Sequence, residues 1–282
     1  MAGGGFVKAQ PSMAVKRNQA MKKMQASGEV LDYVGLLQET FVPPRWENLP
    51  SIFSDFSGHR KLLWYRWKAW ISFRRSQLTA FWMVKPRLKL EVRKTPHIAK
   101  QLYEEMYVAF ADGNLGSVEA KLSPGFKTRL EQRIAKRAPN TRLQWKLHKY
   151  IGRPKCVSYM FAMPDTKGPN TTRTAIMQAV VRIKSQQSLL HVRKQRVKDP
   201  ATGKFVVVEV PVDRDGKEIR DFNVEAEEKK NTKTMVEYFV IERTLINGQV
   251  GSWRAWGTTQ EADLAELRKA EIRKEKALMG TM

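Results

Sequence analysis

At 282 residues, 42% of them hydrophobic and 10% aromatic, the chain is long enough to bury the core of one large domain. Its formal net charge of +23 points to a polyanionic partner, either nucleic acid or an anionic membrane surface, and is silent about fold. A single cysteine, Cys156, excludes an intramolecular disulfide framework and a Cys-based zinc site. No uninterrupted apolar run reaches the roughly 18 residues of a spanning helix, so the protein is expected to be soluble or peripheral.

Residues 1–28 carry five basic groups, Lys8, Lys16, Arg17, Lys22 and Lys23, and no acid. An organellar transit peptide is also acid-free but richer in Arg and Ser. The stretch therefore reads as an extended basic tail ordered only against a partner, or as a terminus with no role. Residues 29–58 reverse the sign, setting Arg45 against Glu29, Asp32, Glu39, Glu47 and Asp55, and the prolines within 40–58 read as a linker. The first expected unit is thus a tail and Pro-rich linker over residues 1–58.

Residues 59–75 read HRKLLWYRWKAWISFRR, with six Lys or Arg and five aromatic rings. As a helix continuing to Lys85-Pro86, the stretch lines Leu63, Trp67, Trp70 and Arg74 along one side, with Trp64 and Ile71 beside them. Lys61, Lys68 and Arg75 repeat on another side. Three environments suit the pattern: an aromatic core face under a solvated basic face, a membrane surface with Trp at the interface, or RNA, whose phosphates are neutralised while rings stack on unpaired bases. Across 59–100 there are twelve basic groups and one acid, Glu91. Such a surface repels itself unless a polyphosphate relieves it. The stretch is read as part core and part RNA-facing, with membrane contact as the runner-up, and residues 59–92 as a helix and connector. Its expected RNA-binding groups are Arg60, Lys61, Arg66, Lys68, Arg74, Arg75, Lys85, Arg87, Lys89, Arg93 and Lys94. Trp64, Trp67 and Trp70 are the candidates for stacking or for facing a membrane.

After Thr95-Pro96, a cap with proline at the first helical position, Ile98, Leu102, Met106 and Ala109/Phe110 recur at helical spacing until Gly113. Leu115, Val118 and Leu122 mark a short amphipathic piece. Ser123-Pro124 opens another helix, striped by Phe126, Leu130 and Ile134. The period then changes to two: Leu143, Trp145, Leu147 and Lys149, next Val157, Tyr159, Phe161 and Met163, then Ala175, Met177, Ala179, Val181 and Ile183. FVVVEVPV at 205–212 precedes a turn at 213–216. The segments TMVEYFVIERTLI and QVGSWRAWG flank Asn247-Gly248 and form the clearest hairpin. Thr258 or Thr259 is placed to cap a charged helix over 258–282. Helices followed by a meander of strands predict an α+β domain.

The charge is concentrated in the middle of the chain. Residues 59–196 hold 30 Lys and Arg against seven Asp and Glu, whereas residues 197–282 hold 15 against 16. A second RNA-binding cluster is expected at Arg129, Arg133, Lys136, Arg137 and Arg142, although a solvated helix face is the usual reason for such a run. Arg182, Lys184, Arg193, Lys194 and Arg196 can extend the footprint. Glu225, Glu227 and Glu228 beside Lys229-Lys230 read as a solvated loop or a protein contact. Catalytic readings fare poorly. His59, His97, His148 and His191 lack metal-ligand spacing, Cys156 reads as a small core residue, and Gly3-Gly4-Gly5 opens no strand–helix unit. No cofactor, metal or small-molecule substrate is expected.

The segment QLYEEMYVAFADGNLGSVEAKLSPGFKTRLEQRI resembles the start of the Tim-forty-four-like domain, which pairs "Y…A…GN…L…L" with a following "L…L…I" helix. Gly251-Ser252-Trp253-Arg254 resembles that family's closing strands. The resemblance covers about residues 93–257. It implies N-terminal helices packed on a cone-like antiparallel sheet of four to five strands, whose pocket hosts enzymes elsewhere; Asp165 or Glu237 would be the groups to act there. An import-motor subunit of this family carries a long, charged, coiled-coil-prone region before the domain. This chain instead has an acid-free tail, a linker and a Trp-rich basic stretch. It is therefore most similar to the mitochondrial large-ribosomal-subunit branch, the forty-five family, whose fungal relatives are inner-membrane ribosome receptors. That resemblance implies a matrix location, bound to the ribosome at the inner membrane. The partners it implies are rRNA, neighbouring large-subunit proteins near the polypeptide exit site, and the membrane or its insertion machinery. The alternative is an inner-membrane adaptor of protein import or insertion without stable rRNA contact.

Overall fold

The computed structural model describes residues 35–37, 40–50, 52–53, 55–83, 91–138, 141–163, 174–198, 205–212, 229–246, 249–265, 267–268 and 272. The basic tail, Lys85, Arg87, Lys89, Asp165, the turn at 213–216, the acids at 225–228, Asn247-Gly248 and most of the expected C-terminal helix lie outside them, as does the side chain of Lys194. The chain divides after Gly35, and the elements below belong to the unit Leu36–Met282.

Helical spacing of apolar residues builds three helices: α1 over Phe56–Met83, α2 over Thr95–Asp112 and α3 over Pro124–Ala135. α1 begins three residues before the Trp-rich stretch because the Asp55 carboxylate accepts the Gly58 N–H at 2.8 Å, an N-terminal cap read from sequence as linker. A Cβ on Gly58 would collide with that carboxylate and with Leu264, so the close approach needs glycine. α2 buries Ala99, Leu102, Tyr103, Met106 and Ala109, and Gly113 closes it at φ 76°. Thr95 is not its cap. It is the first helical residue, with its hydroxyl donating to Glu91 O at 3.1 Å, and Lys94 holds the cap position. A 3-10 segment, Gly116–Lys121, follows and Leu115, Val118 and Leu122 are all buried. α3 buries Phe126 and Leu130, and its start is pinned by the Ser123 N–H on Ala255 O at 2.9 Å.

The strands are β1 Thr141–Tyr150, β2 Lys155–Ala162, β3 Thr174–Lys198, β4 Phe205–Val212, β5 Lys233–Ile246, β6 Gln249–Val250 and β7 Arg254–Thr259. β3 is the spine. Along one edge β2 pairs with Ile176–Arg182 and β1 with Ser185–Arg193. Along the other, β5 pairs with Thr174–Gln187 and β4 with His191–Lys198. β1 and β2 are therefore one ribbon broken at 151–154, where Gly152 takes φ 80°. β4 and β5 are a second. β6 and β7 add to β5, and the Ile246↔Gln249 pair leaves Asn247-Gly248 as the two-residue connection that the sequence predicted. All seven strands are antiparallel in one curled sheet with helices on it, so the α+β fold class stands. Thr258 and Thr259 belong to β7 and cap no helix; helical residues resume at Leu264.

Alternation sorts β3 into two faces. Ala175, Met177, Ala179, Val181 and Ile183 join the main core with α2, α3, Tyr159, Phe239, Ile241 and Trp253. Val180 faces a second core with Val42, Tyr238 and Val240. That second core exists because residues 36–37 and 40–50, the latter read from composition as linker, form a strap. Leu37 N–H donates to the Gln178 side chain at 2.9 Å, and Ala262 N–H to Val42 O at 3.0 Å. Glu261 receives the Arg45 guanidinium at 2.7 Å, the Asn48 amide at 2.8 Å and the Tyr238 hydroxyl at 2.8 Å.

Candidate functional site

α1 packs on β2 through its small residues. Its buried positions are Gly58, Leu62, Ser76 and Ala80. The Ser76 hydroxyl donates to Met160 Sδ at 3.8 Å, and Phe73 meets Tyr159 edge-on at 6.4 Å. With 100° between successive residues, the tryptophans fall on the opposite side. Trp64 is 56% exposed, Trp67 54%, Trp70 58% and Trp82 70%, with Leu63, Ile71, Leu78 and Phe81 also exposed among them. The stretch, expected to be part core and part RNA-facing, has its core side at Gly58, Leu62, Ser76 and Ala80, and Trp64, Trp67 and Trp70, the candidates for stacking or for facing a membrane, are exposed. The reason is steric, since a helix seated close on a sheet accommodates Gly, Ser and Ala where indoles would hold it away.

The basic groups of α1 border this aromatic face. α1 contains no Asp or Glu. Among the described residues, Arg60, Lys68 and Arg74 are exposed and have no carboxylate partner; the Arg74 guanidinium lies 5.7 Å from the Trp70 ring centre. Lys61 is half-buried and Arg75 exposed. Arg66 lies 4.2 Å over the Trp46 ring, so one basic group anchors the strap to the helix. Phe41 stacks on Tyr65 at 5.8 Å in the same seam. Arg93 is exposed, and Lys94 is paired with Glu91 at 2.7 Å.

The second cluster divides in two. Arg133 and Lys136 are exposed without a carboxylate partner among the described residues. Arg137 is occupied: its guanidinium donates to Phe110 O at 2.5 Å and Ala111 O at 3.2 Å, closing the C-terminus of α2. Burial, then the neighbouring Arg133, pull the Arg137 pKa down from its usual value. Arg129 donates to Trp256 O at 3.0 Å and Arg142 pairs with Asp112, so both tie elements together while keeping exposed edges. On β3, Lys184 and Arg196 are exposed, while Arg182 and Arg193 are half-buried.

Among the described residues, the polar interior centres on Glu237. Glu237, half-buried on β5, accepts from the Tyr107 hydroxyl at 2.6 Å and also from Tyr103, while the Gln187 amide donates to it at 3.3 Å. Burial foremost, and the Glu237 charge, push both phenols above their ordinary range, so they stay protonated donors. These contacts make a hydrogen-bonded network that ties α2 to β3 and β5. Burial pushes the Cys156 thiol up to about 12, the opposite of an activated nucleophile. No group of metal-ligating side chains occurs among the described residues. An open groove of about 580 Å³ between α2 and the 3-10 segment is lined by Glu104, Glu105, Asp112 and Lys121, all engaged in ion pairs.

Sequence reading missed three parts of this surface. Leu78, Phe81 and Trp82 extend the aromatic face for another two turns; the signal was their seven-residue spacing from Ile71, Arg74 and Arg75. Phe53, exposed just before α1, and Phe56, its exposed first residue, sit in what composition reads as linker. The Glu261 clasp joins residues more than two hundred positions apart, which no local pattern shows.

The model of one protein family, described as MBA1-like protein, matches residues 18–216, more than two thirds of the chain. No curated protein matches it.

Proposed function

The chain belongs to the MBA1-like family, whose members are mitochondrial and membrane-associated, and from that premise we propose that it is a structural component of the mitochondrial large ribosomal subunit. In this reading it binds rRNA near the polypeptide exit site and helps hold the ribosome at the inner membrane during mitochondrial translation. It is a binding protein with no catalytic step. The resemblance to the large-subunit branch of Tim-forty-four-like proteins supports the ribosomal half, and family membership supports the membrane half.

The observation that carries the proposal is the set of exposed cations without carboxylate partners among the described residues on each of two helices, Arg60, Lys68 and Arg74 on α1 and Arg133 and Lys136 on and just after α3. Surface cations in ordinary domains are interspersed with acids. Here α1 supplies none, and a phosphate backbone is the partner that relieves such a surface while adding affinity. The strap and the two cores fix the geometry of the cations, and electrostatic attachment supplies the binding energy.

A second reading, an inner-membrane adaptor of import or insertion without stable rRNA contact, is favoured by the outward tryptophans of α1. Gradient sedimentation of the native protein from mitochondrial lysate separates the two. Co-migration with large subunits, abolished by RNase and weakened by salt, is the expected result. Migration with membranes regardless of RNase overturns the ribosomal reading and favours the adaptor.

A further inference from the structure

A buried charge is tolerated where an opposite charge or several strong acceptors meet it. Arg243 on β5 is 5% exposed, and among the described residues no carboxylate pairs with it. Its Nε donates to Met177 Sδ at 3.3 Å, a weak acceptor, and its Nη2 reaches the Tyr159 hydroxyl at 3.4 Å. The guanidinium carbon lies 4.6 Å from the Trp253 ring centre. Trp253, 9% exposed, is a second unsatisfied group, because its buried Nε1–H meets no acceptor among the described residues. Tyr159 is fully buried, and its hydroxyl donates to the same Met177 sulfur at 3.4 Å.

The sheet brings these groups together. Arg243 lies opposite Met177 in the β3–β5 register, and Tyr159 lies opposite Ala179, two residues further along the same face of β3. Trp253 leads into β7 and meets Tyr159 edge-on at 6.2 Å. Phe73 of α1 meets Tyr159 from the helix side, so the cluster sits between the sheet and α1. The guanidinium and the indole N–H can only donate, and the phenol donates to sulfur. Stacking on Trp253 and contact with sulfur hold the arginine in place, yet neither neutralises its charge nor gives the indole N–H an acceptor.

We infer that Arg243, Trp253 and Tyr159 form a binding site for the carboxylate of a small organic monoanion. Donor-only groups call for an oxyanion, and charge selects which one. Arg243 is the cation acting on the Tyr159 hydroxyl, and the Glu91 charge acts there too. Glu91 forms no ion pair with Arg243; its carboxylate holds Lys94 at 2.7 Å. One carboxylate balances one guanidinium, whereas a phosphate dianion would leave buried negative charge unmatched. Around the cation, Phe73, Tyr159, Trp253 and Met177 present rings and a thioether, which suit the apolar remainder of such a ligand. None of these residues belongs to the surface cations assigned to rRNA, so the inference stands or falls apart from the ribosomal reading.

The test follows thermal unfolding of the purified full chain while sodium acetate replaces sodium chloride at constant ionic strength, with sodium phosphate in a parallel series. The proteins are wild type, R243M, W253F and Y159F. A ligand that binds only the folded state raises the midpoint in a saturable way. Wild type should show that saturable rise with acetate, and R243M should lose it. W253F keeps a ring beneath the guanidinium but removes the N–H, so it should raise the half-saturating acetate concentration about fivefold, the loss of one hydrogen bond. Any response to phosphate should be shared by R243M, because it arises at the surface cations.

A wild-type midpoint that does not respond to acetate overturns the inference, as does a saturable rise that R243M retains. If R243M fails to fold, an unchanged half-saturation in both W253F and Y159F overturns it instead. A phosphate response that R243M loses, without one to acetate, overturns the choice of a carboxylate.

Discussion

Glu261 accepts hydrogen bonds from the Arg45 backbone and guanidinium, the Asn48 amide and the Tyr238 hydroxyl. Burial alone would push its carboxyl up. The donors from Asn48, the Arg45 backbone, Tyr238 and the Arg45 side chain outweigh that, and hold its pKa below the ordinary 4.5. A carboxylate depressed in the folded state stabilises the fold above its unfolded pKa and loses that contribution as pH falls through the folded value. E261Q should therefore lower unfolding free energy by about 1–2 kcal/mol at neutral pH. Parallel denaturant titrations should show the gap between wild type and variant closing as the pH drops below 4.5. A gap independent of pH would mean that the clasp does not depend on the charge. Arg137 teaches a related lesson at the same scale. Its sequence context, four residues from Arg133, reads as a polyanion contact, yet its guanidinium closes a helix end. Spacing locates a cation on a face; only the fold says whether carbonyls have already taken it.

Among the elements, α2, the 3-10 segment, α3 and β3 follow their sequence patterns closely, because each buries one periodic face and the period alone specifies which. The hairpin around Asn247-Gly248 follows from turn chemistry. α1 departs from its pattern for a physical reason. Periodicity finds its apolar residues but cannot choose which face meets the sheet; the packed side carries Leu62, Phe73, Ser76 and Ala80, with Ser76 and Phe73 on β2. This makes a contrast that can be measured. A80L, placed where the native residue is fully buried, should cost about 1–3 kcal/mol by overpacking. W67Q, on the half-exposed side, should change stability by less than about 0.5 kcal/mol. Chemical unfolding of the two variants decides it, and a larger loss for W67Q would place the tryptophan in the core after all.

For the whole molecule, the net charge of +23 and its concentration in residues 59–196 are the grounds in sequence for expecting a polyanion partner. The fold adds how the surface is built. The strap over residues 36–37 and 40–50 holds α1, and the seven-stranded sheet holds α1 and α3, so their cations keep fixed positions. What sequence could not give was the strap itself, since its contacts with Gln178 and Glu261 span large separations along the chain. Electrostatic attachment has a signature that no packing argument imitates, because each neutralised phosphate releases counterions.

The most direct measurement is the affinity of the purified chain for isolated mitochondrial large subunits across a salt series, for wild type and for K68Q/R74Q/R133Q/K136Q. Wild-type affinity should fall steeply with salt, and the variant's log–log slope should be shallower by about 0.7–0.9 for each phosphate contact removed. Identical slopes, or no salt-dependent binding by wild type, would contradict the claim that these cations attach the protein to rRNA.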